Sequence, residues 1–134
     1  MKKQEELMRT LSGFSFYSAL VKIAWGIVLI QPGDTFAVNP VSYASMMVIA
    51  TEQQWAIFLL IVGALHTLAV LQHNLYFRIP MQILSVGTWL FIATQFWISN
   101  PIGTGKLTYT IAAIIDFIAI VYLLKFDKGE IPHG

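Results

Sequence analysis

Two residues of this chain can do chemistry where charge is costly. Lys22 is the middle residue of the apolar run from Phe14 to Ile30, and Asp116 is the middle residue of the run from Thr108 to Leu124. Each is the only charged residue of its run. A charge at the centre of a bilayer costs about 2.5–3.5 kcal/mol on insertion scales, so it turns to a partner or to a water-filled cavity. Opposite charges at matched depth can form an ion pair that fixes the register of two helices. They can also hold a proton between them, or face a pore or another subunit.

Three further residues extend the pair into a candidate polar path. His66 lies inside the second apolar run, five residues before its end at Leu71. A lone histidine there is either a hydrogen-bonded interior residue or a proton carrier. Gln95 lies in the third run. Glu52 stands just ahead of the second run, in Thr51-Glu52-Gln53-Gln54-Trp55, either as a solvated residue near a helix start or paired with Gln95 as an outward-facing polar site. His73 and His133 fall between and after the runs. No histidines have the His-x-x-x-His spacing of a metal site, and with no cysteine there is no thiolate site, thiol catalysis or disulfide. No metal and no cofactor are expected. Gly103-Thr104-Gly105-Lys106 matches part of a phosphate loop but lacks its first glycine, and no nucleophile elbow or dinucleotide fingerprint occurs. The expectation is a protein that is not an enzyme.

Four segments are long enough, at roughly 17–25 residues, to cross a bilayer as helices. They run over about 14–30, 55–71, 79–98 and 107–124. Gln31-Pro32-Gly33-Asp34 stops the first, since proline fixes φ and glycine permits the reversal. Pro80 is expected in the first turn of the third, where its missing N–H costs nothing. The chain is 57% hydrophobic and 11% charged, against roughly 25% charged in soluble domains, so too little polar sequence remains to coat a soluble protein. The expected fold is an all-α integral membrane protein, one domain over 1–134, forming a compact four-transmembrane-helix bundle. The first loop contributes a short interfacial helix from Pro40 to Ala50. The N-terminal run ends without a small-x-small cleavage site and reads as a retained helix.

Lysine and arginine placement sets the expected orientation. Lys2, Lys3, Arg9, Arg78, Lys125 and Lys128 fall on one side of a four-span chain and only Lys106 on the other. The positive-inside rule puts both termini in the cytoplasm, with the protein in the plasma or inner membrane. A net charge of +1 gives no field to collect nucleic acid, so the expected partners are the lipid bilayer and either further copies or a membrane partner protein.

Each span carries a stripe of small or hydrogen-bonding residues that permits close helix approach. These are Ser15, Ala19, Lys22 and Gly26 in the first; Gly63, His66, Thr67 and Val70 in the second; Gln82, Ser85, Thr88 and Gln95 in the third; and Thr108, Ala112, Asp116 and Ala119 in the fourth. Trp55, Trp97 and Tyr109 are expected in an outer aromatic belt, and Tyr17, Tyr76 and Tyr122 in an inner one. Trp25 and Trp89 sit deeper, as candidates for an aromatic cation-binding box.

Size and four-span layout resemble the small multidrug transporters, whose first helix carries an essential glutamate. This chain has Lys22 there. Compactness also looks like phage-encoded holins and superinfection-exclusion proteins. The expected function is helix assembly or partner binding in the membrane, as in a holin-like pore former of a phage. The alternative is a channel or small transporter subunit with an ion or proton path through Lys22 and Asp116.

Overall fold

A computed structural model describes residues 2–72, 74–99 and 102–127, so His73 and His133 lie outside the described residues. The described chain is all-helical: α1 (Lys2–Ile30), α2 (Thr35–Val38), α3 (Pro40–Ile49), α4 (Glu52–Leu71), α5 (Leu75–Ser99) and α6 (Gly105–Asp127). Four of these, α1, α4, α5 and α6, are long and apolar enough to cross a membrane.

Local chemistry explains where the helices begin and turn. α4 starts at a capping box: Thr51 Oγ1 accepts the Gln54 N–H at 3.3 Å, and Gln54 Oε1 accepts the Thr51 N–H at 2.9 Å. α5 starts earlier than its apolar run, because Asn74 caps it. The Asn74 side chain accepts from Tyr76 N at 3.0 Å, and its carbonyl accepts from Phe77 N and Arg78 N. Pro80 therefore sits inside α5 rather than in its first turn, contrary to the expectation. Asp34 takes a left-handed φ of 42°, and that reversal follows the Pro32-Gly33 turn.

The long helices pack as two pairs, α1 along α4 and α5 along α6, and the pairs close against each other through α4–α5 and α1–α6 contacts. α1 and α4 approach closely where Gly26 and Gly63 face the other helix. α3 folds back onto the C-terminal end of α5. Ser45 Oγ donates to the Gln95 carbonyl at 3.1 Å, the Ser45 N–H donates to Ser99 Oγ at 3.1 Å, and the Trp55 indole donates to the Met46 carbonyl at 3.0 Å. Phe36 of α2 and Met46 of α3 are buried with Leu29, Trp55, Ile92 and Phe96, so this segment caps one end of the bundle.

The expected stripes of α1, α4 and α5 bury, with Thr67 and Val70 of α4 half-buried. In α6 the expected stripe turns inward at Ala112, Asp116 and Ala119, with Ala112 half-buried, and departs from expectation only at Thr108. Thr108 is exposed and bonds back to the Thr104 carbonyl, while Ala113, Asp116, Ala119, Ile120 and Leu123 point inward. Two expected belt aromatics also differ. Trp55 is buried, and Tyr109 packs inward between Trp25 at 5.0 Å and Phe96 at 5.0 Å. Each ring gains more apolar contact there than at a surface. Trp97, Tyr17 and Tyr76 are exposed, and the outside of the bundle carries Ile57, Ile61, Leu90, Ile111 and Phe117.

Candidate functional site

Residues from all four long helices meet in one buried polar layer. α1 supplies Ser18 and Lys22, one helical turn apart and thus on one face. α5 supplies Gln82, Ser85 and Trp89 by the same spacing, α6 supplies Asp116 and α4 supplies His66. Lys22 and Asp116 are both 0% exposed, and Lys22 Nζ lies 3.8 Å from Asp116 Oδ2.

Two hydroxyls mediate the pair. Lys22 Nζ donates to Ser18 Oγ at 2.9 Å, to Ser85 Oγ at 2.7 Å and to the Ser18 carbonyl at 3.3 Å, so its three protons are all placed. Ser18 Oγ and Ser85 Oγ then donate to the same carboxylate oxygen, Asp116 Oδ2, at 2.8 and 2.5 Å. The Trp89 indole N–H also donates to Ser18 Oγ, at 2.7 Å, and the Trp89 ring stands 4.4 Å from Lys22 Nζ. Of the two deep indoles, Trp89 thus has its ring taken by the protein's own lysine as a cation–π contact, while Trp25 packs on Phe96 and Tyr109.

The layer continues to α4. Gln82 Nε2 donates to the Asp116 carbonyl at 3.4 Å, which turns its Oε1 toward His66 Nε2 at 3.0 Å. Because Oε1 only accepts, His66 Nε2 is the donor in this bond. Further along, Arg78 Nη2 donates to Ser12 Oγ at 2.6 Å.

The layer is satisfied unevenly. Lysine donates, serine relays and Oδ2 accepts, whereas Asp116 Oδ1, His66 Nδ1, Ser15 Oγ and Arg78 Nε are buried without a hydrogen-bond partner among the described residues. Ser18 also lines a cleft of about 230 Å³ between α1 and α6, walled by Phe14, Val21, Trp89, Tyr109 and Ile115. A wider groove of about 640 Å³ lies between α4 and α5, lined almost wholly by apolar groups such as Trp55, Phe58, Leu84 and Phe91.

Lys22, Asp116 and His66 therefore come together, while Gln95 and Glu52 do not join them. Gln95 is ten residues beyond Ser85 on α5, about 15 Å along the axis, and its main-chain carbonyl receives Ser45. Glu52 is half-buried at the far end of α4 and pairs with no glutamine there. Its carboxylate accepts the N–H groups of Thr35 and Phe36 at 2.8 and 3.2 Å and so holds α2. This corrects both expected readings of Glu52, as a solvated residue and as the partner of Gln95. Burial, helped by the Glu52 charge, holds the neighbouring Tyr43 phenol above its usual range. Charge-assisted bonds of this kind are worth about 1.5 kcal/mol or more. Glu52→Ala is therefore expected to speed amide exchange at Thr35 and Phe36 and to leave exchange in α6 unchanged.

Two members of the layer had no signal of their own in the expected stripes. Ser18 stands beside Ala19 of the expected stripe, and its four-residue spacing from Lys22 is the signal that marks it. For Trp89 depth points to the ring, while its N–H carries the bond to Ser18. Comparison with known protein families, with curated proteins and with solved structures finds no match.

Proposed function

We propose that the chain is a four-span integral membrane protein of the plasma or inner membrane. In this reading both termini lie in the cytoplasm, α3 lies at the outer interface, and the protein acts by helix assembly or partner binding without catalysis. The observation that carries this reading is the closure of the Lys22–Asp116 network within one subunit. A pair bridged by its own serines needs no substrate to explain the bridge, and it holds α1, α5 and α6 in one register. The apolar exterior suits acyl chains, and the α4–α5 groove offers a lipid-facing surface for the helix of another copy or a partner. The pore-forming version, a holin-like protein, predicts that regulated expression in bacteria collapses the membrane potential and releases a co-expressed endolysin at a defined time. Normal growth and potential at high expression reject it.

One observation favours a second reading, a channel or small transporter subunit: the buried but unpartnered Asp116 Oδ1, His66 Nδ1 and Ser15 Oγ. Such groups in a membrane interior mark ion and proton routes. Proteoliposome flux per folded protein should fall in both Lys22→Met and Asp116→Asn. Flux unchanged in the two variants excludes a path through these residues.

A further inference from the structure

Among the described residues, the buried polar atoms that lack a partner are Ser15 Oγ, His66 Nδ1, Arg78 Nε and Asp116 Oδ1. Ser15, His66 and Arg78 lie between the bundle end that carries the N-terminus and the ion pair, to which Asp116 itself belongs. On α1 the hydroxyl-bearing residues Ser12, Ser15 and Ser18 lead to Lys22, and on α5 Arg78, Gln82 and Ser85 lead to the same level. This polar column spans about 15 Å, from the ten residues between Ser12 and Lys22. Arg78 and Ser12 stand together at its mouth. Ser15, then His66 with Gln82, then Asp116 follow inward.

The other half of the bundle is built differently. Beyond the ion pair, rings fill the interior. Trp89 stacks on Tyr109 at 5.6 Å, Tyr109 meets Trp25 and Phe96 at 5.0 Å each, Phe96 meets Tyr43 at 5.5 Å, and Tyr43 stacks on Phe36 at 4.7 Å. The α2–α3 cap lies over them. Buried polar groups take partners from protein or from ordered water, and water enters cavities that are polar and leaves apolar ones empty.

We infer that the bundle contains a one-sided hydrated column, open at the end bearing the N-terminus and closed by the aromatic cluster, that delivers a proton to Asp116 Oδ1. The inference deepens the transport reading and rests on it. The step is a simple transfer: a hydronium ion in the column gives its proton to Oδ1, water remains, and the carboxylate becomes a neutral carboxyl. Oδ2 still accepts Ser18 and Ser85, and Lys22 keeps its three acceptors but loses its counter-charge. Facing Asp116 across the layer are Lys22 of α1, His66 of α4 and, toward the mouth, Arg78 of α5. Since the Lys22–Asp116 attraction joins α1 to α6, protonation loosens that contact and couples uptake to helix movement.

The chain contains no cysteine, so single cysteines report access without background. Ser15→Cys and Ile92→Cys are placed one at a time in oriented membrane vesicles and exposed to silver ion, a small thiol-reactive cation, from one side or the other. Unreacted thiol is then labelled with maleimide in denaturant. The expected result is loss of later labelling at Ser15→Cys only when silver is on the N-terminal side, and full labelling at Ile92→Cys from both sides. Equal labelling of Ser15→Cys after exposure from either side overturns the column. Because Ser15→Cys can fail to fold, a second measurement uses the unaltered chain. Acidifying the N-terminal side alone should raise a protonated-carboxyl infrared band that Asp116→Asn lacks. A band that responds equally to acid on either side overturns one-sided delivery. One-sided access with no proton flux removes the transport reading and leaves the column standing, so the two failures are distinct.

Discussion

Asp116→Leu in detergent-solubilised protein is expected to lose about 3–5 kcal/mol of stability, the cost of breaking a buried ion pair from one side. The loss arises less from the contact removed than from what remains. Lys22 keeps its serine acceptors but stays fully buried as an uncompensated charge. Lys22→Met should cost a similar amount, since it leaves Asp116 buried without its cation and with hydroxyls on one oxygen only. The double variant Lys22→Met with Asp116→Leu should recover most of both losses, because well-packed apolar residues often replace a buried pair at little cost. Thermal unfolding followed by tryptophan fluorescence gives the double-mutant cycle. Additive losses, with no recovery in the double variant, would exclude a direct coupling.

A charge swap asks more of the site. In Lys22→Asp with Asp116→Lys the two serines can reverse their roles, because a hydroxyl both donates and accepts and its proton rotates. The Trp89 ring cannot reverse, since its face attracts only a cation. Its indole N–H also keeps Ser18 Oγ as an acceptor of one fixed donor. Recovery should therefore be partial, better than either single change and short of the original protein.

Much of this arrangement is legible in the residues because membrane-length helices leave few choices. Span length, the Gln31–Asp34 turn and the depth of two lone charges follow from a 1.5 Å rise per residue and the cost of unpaired charge. The helix from Pro40 follows from a proline at its first position, where the missing N–H costs nothing. What spacing along a helix does not carry is the rotation of one helix relative to its neighbours. Thr108 and Ala113 are both near the stripe drawn through Asp116, and only packing against α5 decides that Ala113 turns in. Ser18 is similar: a serine gains little in a helix by itself, and its place between Lys22, Trp89 and Asp116 exists only once α1, α5 and α6 have met. The role of Glu52 is not legible in the residues, because its partners are main-chain N–H groups of α2, which no side-chain pattern announces.

Gly63→Ala is the second large expected effect, and its cause is backbone proximity. A Cβ at Gly63 would stand 2.7 Å from Ile23 Cγ1, 3.0 Å from the Ile23 nitrogen and 3.1 Å from the Ala19 carbonyl oxygen. A Cβ at Gly26 would stand 2.6 Å from Leu60 Cγ and 2.9 Å from the Ala56 carbonyl oxygen. The two glycines thus serve one seam from opposite sides, each letting the other helix close onto it. Overpacking of this kind costs about 1–3 kcal/mol. Relief depends on what the new methyl meets. A side chain can turn away, but a carbonyl moves only with its helix. Shortening Ile23 to alanine should therefore rescue part of the Gly63→Ala loss and leave the clash with the Ala19 carbonyl. Separating α1 from α4 to relieve it would also shift α1 against α5 and α6, where Lys22 and Ser18 are held by bonds of 2.7–2.8 Å. The Gly63→Ala and Asp116→Leu losses should then fall short of additive in the combined variant, because a seam that has already moved α1 leaves less of the polar layer to break. Strict additivity, measured by the same unfolding cycle, would show that seam and layer are independent.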